Sequence, residues 1–559
     1  MKKLRVGYIL DNSDQSFFIW EAINQSKNSD AYSVEALIIQ NTVDKNSKSK
    51  GLFLKAFQYI SKRGIKKFIE SISFYLILKF EKIATPRNAK YRDFYLKYSL
   101  DKFDYSKFYV NPNISDSGLN YSFGKEDLNT IKNLDLDLLV RGGSGILRGD
   151  ILTICKFGII SFHHSNNAIN RGGPPGFWEV FNKEPSTGFI IQKLLNELDG
   201  GDVLFKGSFP TSFLYTLNLS NLYFNSNIFL HLLIERISMN NALPKAYSKS
   251  PYTFQHFTLP SMYQQMAYLI KTFVHGMKKI LGKVRGKGYR WGIAYQFVDD
   301  WKNAVLWRSK VIKNPPNRFL ADPFVKVKNG RVIVFVEDYD YSLSKGKISA
   351  YELFKSGYKE LGCVLEENFH LSFPFIFEED GSLYMCPETK ENNDIRVYKC
   401  VNFPLQWELH KILFSDVKAV DTTIFKYNQK YWLLSNIDST SLGNCGSELH
   451  LFYADSFESN EWKSHPNNPI IFDSLTARNG GFITDNGDLY RVFQTPGFNI
   501  YGKSMGIAKI TELSDSNYQE ELSFNITPDF FKNIKGTHTF SHDDGVLLFD
   551  FVKYESRKK

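Results

Sequence analysis

Paired cysteines, long apolar runs and a leader-like start are what this sequence lacks. Cys155, Cys363, Cys386, Cys400 and Cys445 are an odd number, widely scattered, with no C-x-x-C pair. That excludes a disulfide framework and a zinc knuckle, and fits a reduced, cytoplasmic protein. No window offers the roughly 18 uninterrupted apolar residues of a spanning helix, and the densest run, Phe74 to Phe80, is far too short. The opening Met1 to Asn12 meets Asp11 and Asp14 too soon for a signal peptide, so it reads as a first buried strand.

What is present is aromatic and basic. Aromatics make up 16% of 559 residues, a lean towards strand-rich, carbohydrate-contacting architecture. The net charge of +10 favours anionic partners such as phosphates, nucleotide sugars or a membrane surface, and alone gives no reason to expect nucleic acid. At about 150 residues per domain the length implies two to four units.

Val6 to Leu10, Phe17 to Asn28 and Val34 to Ile39 read as strand, helix and strand, the start of a parallel α/β sheet. Between about 45 and 105 a basic insertion follows, with Phe53, Phe57, Ile60, Phe68, Ile72 and Tyr75 at helical spacing. It packs on its own domain or touches a membrane surface. The parallel pattern resumes at Asp137 to Arg141, which feeds the turn Gly142-Gly143-Ser144-Gly145; a helix over Asp150 to Lys156 and a strand over Gly158 to Phe162 come next. A second basic amphipathic stretch, Ser261 to Lys287, ends in a Lys- and Gly-rich run that marks a domain boundary. The expected layout is a first domain over 1–250, a linker over 251–290 and an all-β domain over 291–559.

The third region repeats. Asn329-Gly330, Asp380-Gly381, Asn428-Gln429, Asn486-Gly487 and Asp544-Gly545 each precede alternating apolar residues, as in tight hairpins. Five copies at a period near fifty residues predict a five-bladed β-propeller, with an irregular β-sandwich as the rival.

In the first domain, Ser161-Phe162-His163-His164-Ser165, then Arg171-Gly172, then Leu198-Asp199-Gly200-Gly201 resemble the folate-dependent formyltransferases, over roughly residues 1 to 215. The resemblance implies transfer of a formyl group from 10-formyltetrahydrofolate to an amino-sugar or nucleotide-sugar acceptor. His163 would polarise the formyl group and Asp199 would handle the proton, because an amine attacking that carbon passes through an oxyanion and must lose a proton. The family's amide donor is replaced by Ser161; losing one oxyanion donor costs about 3 kcal/mol, and Asn166 or Asn167 could compensate. Gly142, Gly143, Gly145 and Asp202 would face the cofactor. His164, Asn166, Arg171, Trp178 and Glu179 would face the substrate. Each has a bland alternative: Arg171 as a loop staple, Trp178 as core, His164 as a loop cap.

In the repeat region Ala321-Asp322-Pro323-Phe324, Phe335 to Asp338, Ser372-Phe373-Pro374, Pro387-Glu388-Thr389 and Val420-Asp421-Thr422 resemble the furanosidase-type glycosidases. They resemble still more closely the N-terminal domain of the plant glucosamine inositolphosphorylceramide transferases. Asp322 matches a base position and Asp421 falls near an acid position. Ser372-Phe373-Pro374 replaces a third aspartate, which counts against hydrolysis and for glycan recognition. Asp322, Glu337, Glu388, Asp421, Arg478 and His538 are expected to line one axial pocket, with Asn479 beside them and without a metal.

Overall fold

A computed structural model describes residues 2–41, 60–61, 64–84, 96–197, 200–439 and 445–557. The chain divides into two compact units, Met1–Thr272 and Phe273–Lys559.

The first unit is built on a seven-stranded sheet of β1 (Leu4–Leu10), β2 (Tyr32–Gln40), β3 (Ser106–Val110), β4 (Leu138–Arg141), β5 (Ile159–His163), β6 (Ser186–Lys193) and β7 (Asp202–Pro210), in the order β7-β6-β5-β4-β1-β2-β3. The five strands β1 to β5 run parallel and β6 and β7 are antiparallel additions. Strands buried on both faces read as near-continuous apolar runs, as Val-Gly-Tyr-Ile-Leu and Ala-Leu-Ile-Ile do. Ile9, Ala36 and Ile38 pack with Ile131 and Ile151 in one core cluster. Among the described residues the α-helices of the chain are α1 (Phe17–Gln25), α2 (Ile65–Ala84), α3 (Lys125–Lys132), α4 (Phe177–Asn182), α5 (Tyr215–Asn240) and α6 (Met262–Val284), the last running on into the second unit.

Three sequence expectations shift. Asp150–Thr153 is a single 3₁₀ turn in place of a helix to Lys156. The insertion is represented by α2 and Ile60, while Phe53 and Phe57 lie outside the described residues. The linker over 251–290 contains α6, whose first half docks on α2: the Tyr268 hydroxyl donates to Glu81, and Gln265 Nε2 donates 2.8 Å to the Glu70 carbonyl. The unit boundary therefore falls inside α6, between Thr272 and Phe273, and not in the glycine-rich run after it.

The second unit is all-β after α6. Among the described residues it holds five antiparallel sheets of four or five strands. Their first strands are β8 (Arg318–Lys328), β9 (Ser372–Glu379), β10 (Ala419–Tyr427), β11 (Asn479–Asp485) and β12 (Phe540–Asp543), and each touches the next, with β12 returning to β8. The fifth sheet is composite, since Lys287–Phe297 pairs along its whole length with Val546–Ser556. All five repeated turns join the first two strands of a sheet, and both turn residues have positive φ in every case, for example Asn329 at 53° and Gly330 at 73°. Two such residues give the primed turn whose twist matches the strands.

Candidate functional site

Four of the five first strands of the second unit break register at corresponding places. Pairing is interrupted between Ala321 and Phe324, Ser372 and Phe375, Val420 and Thr423, and Asn479 and Gly481. In three sheets the extra residue is left-handed, Asp322 at φ 48°, Phe373 at 45° and Asp421 at 51°. Such a backbone costs a non-glycine residue about 1–2 kcal/mol, and the bulge it makes re-aims a side chain and a backbone N–H. In the fourth sheet the place is taken by glycine, because a Cβ on Gly480 would lie 2.2 Å from the His538 carbonyl oxygen.

The bulges make a hub. Asp322 Oδ2 accepts the Phe373 N–H (3.2 Å) and its Oδ1 accepts the Thr539 hydroxyl (2.9 Å), so the first sheet is tied to the second and fifth. His538 lies between two carboxylates, with Nε2 3.1 Å from Asp322 and Nδ1 2.6 Å from Asp550. Asp550 also accepts the backbone N–H of His538 (2.8 Å) and Thr539 (3.2 Å). Across the hub Asp421 is paired with Arg478 Nε at 2.7 Å and accepts Gln494 Nε2 at 3.1 Å. Asn479 Nδ2 donates to the Asp421 carbonyl (2.9 Å), which links the third and fourth sheets.

Burial and charge then divide the carboxyl groups. Burial alone would raise Asp322, but the hydrogen bond and charge of His538, with the Thr539 and Phe373 donors, hold it below the usual carboxylate range. Burial would strip the proton from His538, yet Asp550 and Asp322 raise it to about 10, so the ring is an imidazolium at neutral pH. Glu388 moves the other way, to about 8, through burial and the charge of Asp421, which Arg478 only partly offsets. Glu337 is raised well above the usual range by burial and by Asp322 and Glu388; its Oε1 lies 3.5 Å from His370. Asp421 is also raised by burial against the pull of Arg478.

One side of the hub is open. Asp322, Asp421 and His538 are buried, whereas Glu388 and Arg478 are partly accessible and Tyr501 is 46% exposed. Arg478 lies 4.7 Å over the Tyr501 ring, and Trp291 packs 4.0 Å from the His538 ring. Aromatic faces beside a few fixed polar groups suit a ligand with apolar C–H faces and hydroxyl edges.

The six residues expected to share this pocket are thus within one hydrogen-bonded and electrostatic network. Asp550, Gln494, Tyr501, Trp291 and His370 were missed. Asp550 did leave a signal, as the lone acid inside Leu547-Leu548-Phe549-Asp550-Phe551. Asp322, His538 and Asp550 offer ligand-type atoms within 4.8 Å of one another. Both ring nitrogens of His538 lie within 3.1 Å of a carboxylate oxygen, so the three side chains form one charged cluster.

The profile described as "Glucosamine inositolphosphorylceramide transferase 1, N-terminal" matches residues 301–542. Glucosamine inositolphosphorylceramide transferase 1 of Arabidopsis thaliana is 39% identical over 219 residues, 38% of this chain and 28% of the plant protein. The rice (Oryza sativa subsp. japonica) protein of the same name is 35% identical over 212 residues, 37% and 28% of the two chains. The chain thus spans under a third of the length of these relatives. Methionyl-tRNA formyltransferase of Staphylococcus aureus is 33% identical over 82 residues, 14% of this chain and 26% of that enzyme.

In the first unit the expected residues mostly serve the fold. Asp199 lies outside the described residues. Ser161 donates to the Phe162 carbonyl (3.2 Å), and His163 Nε2 is 3.4 Å from the Asn170 carbonyl. His164, expected at the substrate, is stacked 3.7 Å from Tyr223 and edge-on to Phe18; burial and His163 push it down to about 3, so it is a neutral aromatic-core histidine. Trp178 is also core, its indole N–H on the Gly173 carbonyl (3.2 Å). Glu179 is buried beneath Ser165 and Asn170 and raised by that burial. Arg171 staples the loop, donating 2.9 Å to Asn167 and lying 4.6 Å over Tyr252. Asn166 caps its own turn through the Ala168 N–H, and Asp202 pairs with Lys249 at 3.1 Å.

The turn Gly142-Gly143-Ser144-Gly145, expected at the cofactor, has two of its N–H groups bonded within the protein. The Gly142 N–H bonds to Ile9, and the Ser144 N–H is held by both Asp11 oxygens at 3.0 and 2.8 Å. Beside that loop Arg141 is buried, gives one bond to Gly145 (3.1 Å), and is lowered to about 10 by burial despite Asp11. Asp11 and Arg141 close the carboxyl ends of β1 and β4, where the strand order reverses, which is where open α/β sheets place their ligands.

Proposed function

We propose that the second unit is a five-bladed propeller whose hub binds and processes a sugar, within a protein of glycan or glycolipid biosynthesis. The single observation that carries this reading is the pairing of Asp322, kept ionised by His538, with Glu388, kept protonated up to about 8, in one aromatic-rimmed network. Two carboxyls pushed to opposite sides of neutrality are what base and acid chemistry at an anomeric centre needs. Asp322 accepts the proton of an attacking hydroxyl and Glu388 donates one to the leaving oxygen. Arg478, fixed by Asp421, holds an anionic or hydroxyl-rich neighbouring group. The match to the plant transferases favours sugar transfer over hydrolysis. The test is incubation of the full chain with aryl glycosides and nucleotide sugars, with and without polyol acceptors. Turnover should fall by orders of magnitude in Asp322→Asn and Glu388→Gln and persist in His163→Ala; turnover unchanged by either hub variant overturns the reading.

A second reading is favoured by the 82-residue match to methionyl-tRNA formyltransferase. In it the end of β5, with Ser161 and His163, serves formyl transfer from 10-formyltetrahydrofolate to an amino-sugar conjugate, and the hub only holds the glycan. Release of tetrahydrofolate with a nucleotide-linked amino sugar, lost in His163→Ala and kept or raised in Ser161→Asn, would install this reading instead.

A further inference from the structure

Helices α2 and α6 put polar groups on the faces they bury. An amphipathic helix normally turns its apolar stripe to the core and its charges to water. Here the buried face of α2 carries Glu70 and Glu81 beside Phe74 and Ile77, and the buried face of α6 carries Gln265 and Tyr268. Most of these groups are paired: Ser73 donates to Gln265, Gln265 to the Glu70 backbone carbonyl, and Tyr268 to Glu81, which also accepts the Thr216 N–H at 2.9 Å, while the Glu70 carboxylate is ion-paired to Lys67 at 2.9 Å. The outward faces are apolar. Ile69, Ile72, Leu76 and Phe80 are exposed on α2, Phe80 to 71%. Tyr263, Met266 and Ile270 are exposed on α6, and the stripe runs on along the same helix through Phe273 and Met277. With 23 residues, α6 is about 35 Å long. So much contiguous apolar surface marks a contact with something that is not water.

The charge pattern selects what covers it. Both acids of α2 are buried and α6 has none, so every exposed ionised side chain on the two helices is a lysine, including Lys66, Lys67, Lys79, Lys271 and Lys278. A protein interface depletes lysine at its centre and enriches tryptophan and arginine. These helices contain neither of the latter, and their lysines flank the stripe. Neither helix is long and apolar enough to cross a bilayer. We propose that α2 and α6 together lie in the interface of an anionic lipid bilayer, apolar stripe among the acyl chains and lysines at the headgroups. This is independent of the sugar chemistry assigned to the second unit.

Flotation of the full chain with vesicles tests it. Phosphatidylcholine vesicles containing phosphatidylserine should carry the protein up, pure phosphatidylcholine should carry about tenfold less, and high salt should release part of it. Ile72→Glu with Ile270→Glu should abolish flotation. Lys66→Glu with Lys79→Glu and Lys278→Glu should abolish only the preference for anionic lipid. All of these side chains point outward, so circular dichroism and the melting temperature should match the parent and separate lost binding from lost folding. Failure to float with any vesicle overturns the proposal, as does a dimer in solution that Ile72→Glu with Ile270→Glu dissociates, which would assign the face to a second copy of the chain.

Discussion

His164 and His538 are the same side chain in opposite surroundings. In the first unit His164 is stacked among Phe162, Phe18 and Tyr223, and burial drives it to about 3. In the second unit His538 is as thoroughly enclosed, but Asp550 and Asp322 outweigh burial and hold it at about 10. Enclosure is common to both, so the partners alone decide whether a histidine is a neutral packing element or a fixed cation. The comparison extends to the two expected sites. Around β5 the polar groups are spent on backbone carbonyls and loop staples, whereas in the hub they act on one another.

The largest effect that would break this contrast is in activity. Asp322→Asn should lower sugar turnover by about 10³-fold, measured on folded protein, while His163→Ala leaves it unchanged; the reverse pattern moves the chemistry to β5. Asp550→Asn strips His538 of the charge that most raises it and leaves a buried cation half-paired. It should cost about 3–5 kcal/mol in urea unfolding, and a loss no greater than that of an ordinary surface change would mean that the charged cluster is dispensable.

Glu388→Gln should lower turnover by about 10²-fold and remove the alkaline limb that the wild type shows near pH 8. A limb that survives the substitution would take the acid role from Glu388. Folding should report the same groups with a definite sign. Glu388 rises on folding from 4.5 to about 8 and His538 from 6.5 to about 10. Both folded pKa values are raised, so their stabilising contributions are complete at low pH and are lost as pH climbs from 4.5 through 8 and from 6.5 through 10. The melting temperature should therefore fall across that range, less steeply in Glu388→Gln. The smallest effect is expected at Ser161, where Ser161→Asn should leave sugar turnover alone.

Much of the second unit was legible because turn chemistry is local. Asn-Gly and Asp-Gly pairs between two alternating apolar runs favour positive φ at both turn residues, and five of five such turns followed, even with Gln429 in a glycine's place at 64°. The six hub residues were legible as acids and bases beside blade turns. What stayed hidden depends on contacts distant in sequence. Asp322 meets Thr539 and His538 more than 200 positions away, and no spacing rule announces the bulges that aim Asp322 and Asp421. In the first unit the βαβ start was readable from buried apolar runs. The roles given to Trp178, Glu179 and His164 came from a resemblance in sequence order, which does not announce that all three pack in buried surroundings. The amphipathic period of α6 was visible too; which of its faces would point inward was not, since a period carries no direction.

The composite fifth sheet has a last consequence. Asp550 lies on the strand that pairs with Lys287–Phe297, and His538 and Thr539 are held by it. The strand that joins the two ends of the second unit is thus also the one that supplies the principal counter-charge of His538. Fraying of Val546–Ser556 would cost the sheet its pairing and the buried imidazolium its partner together, so the C-terminal segment guards an electrostatic balance as well as an edge.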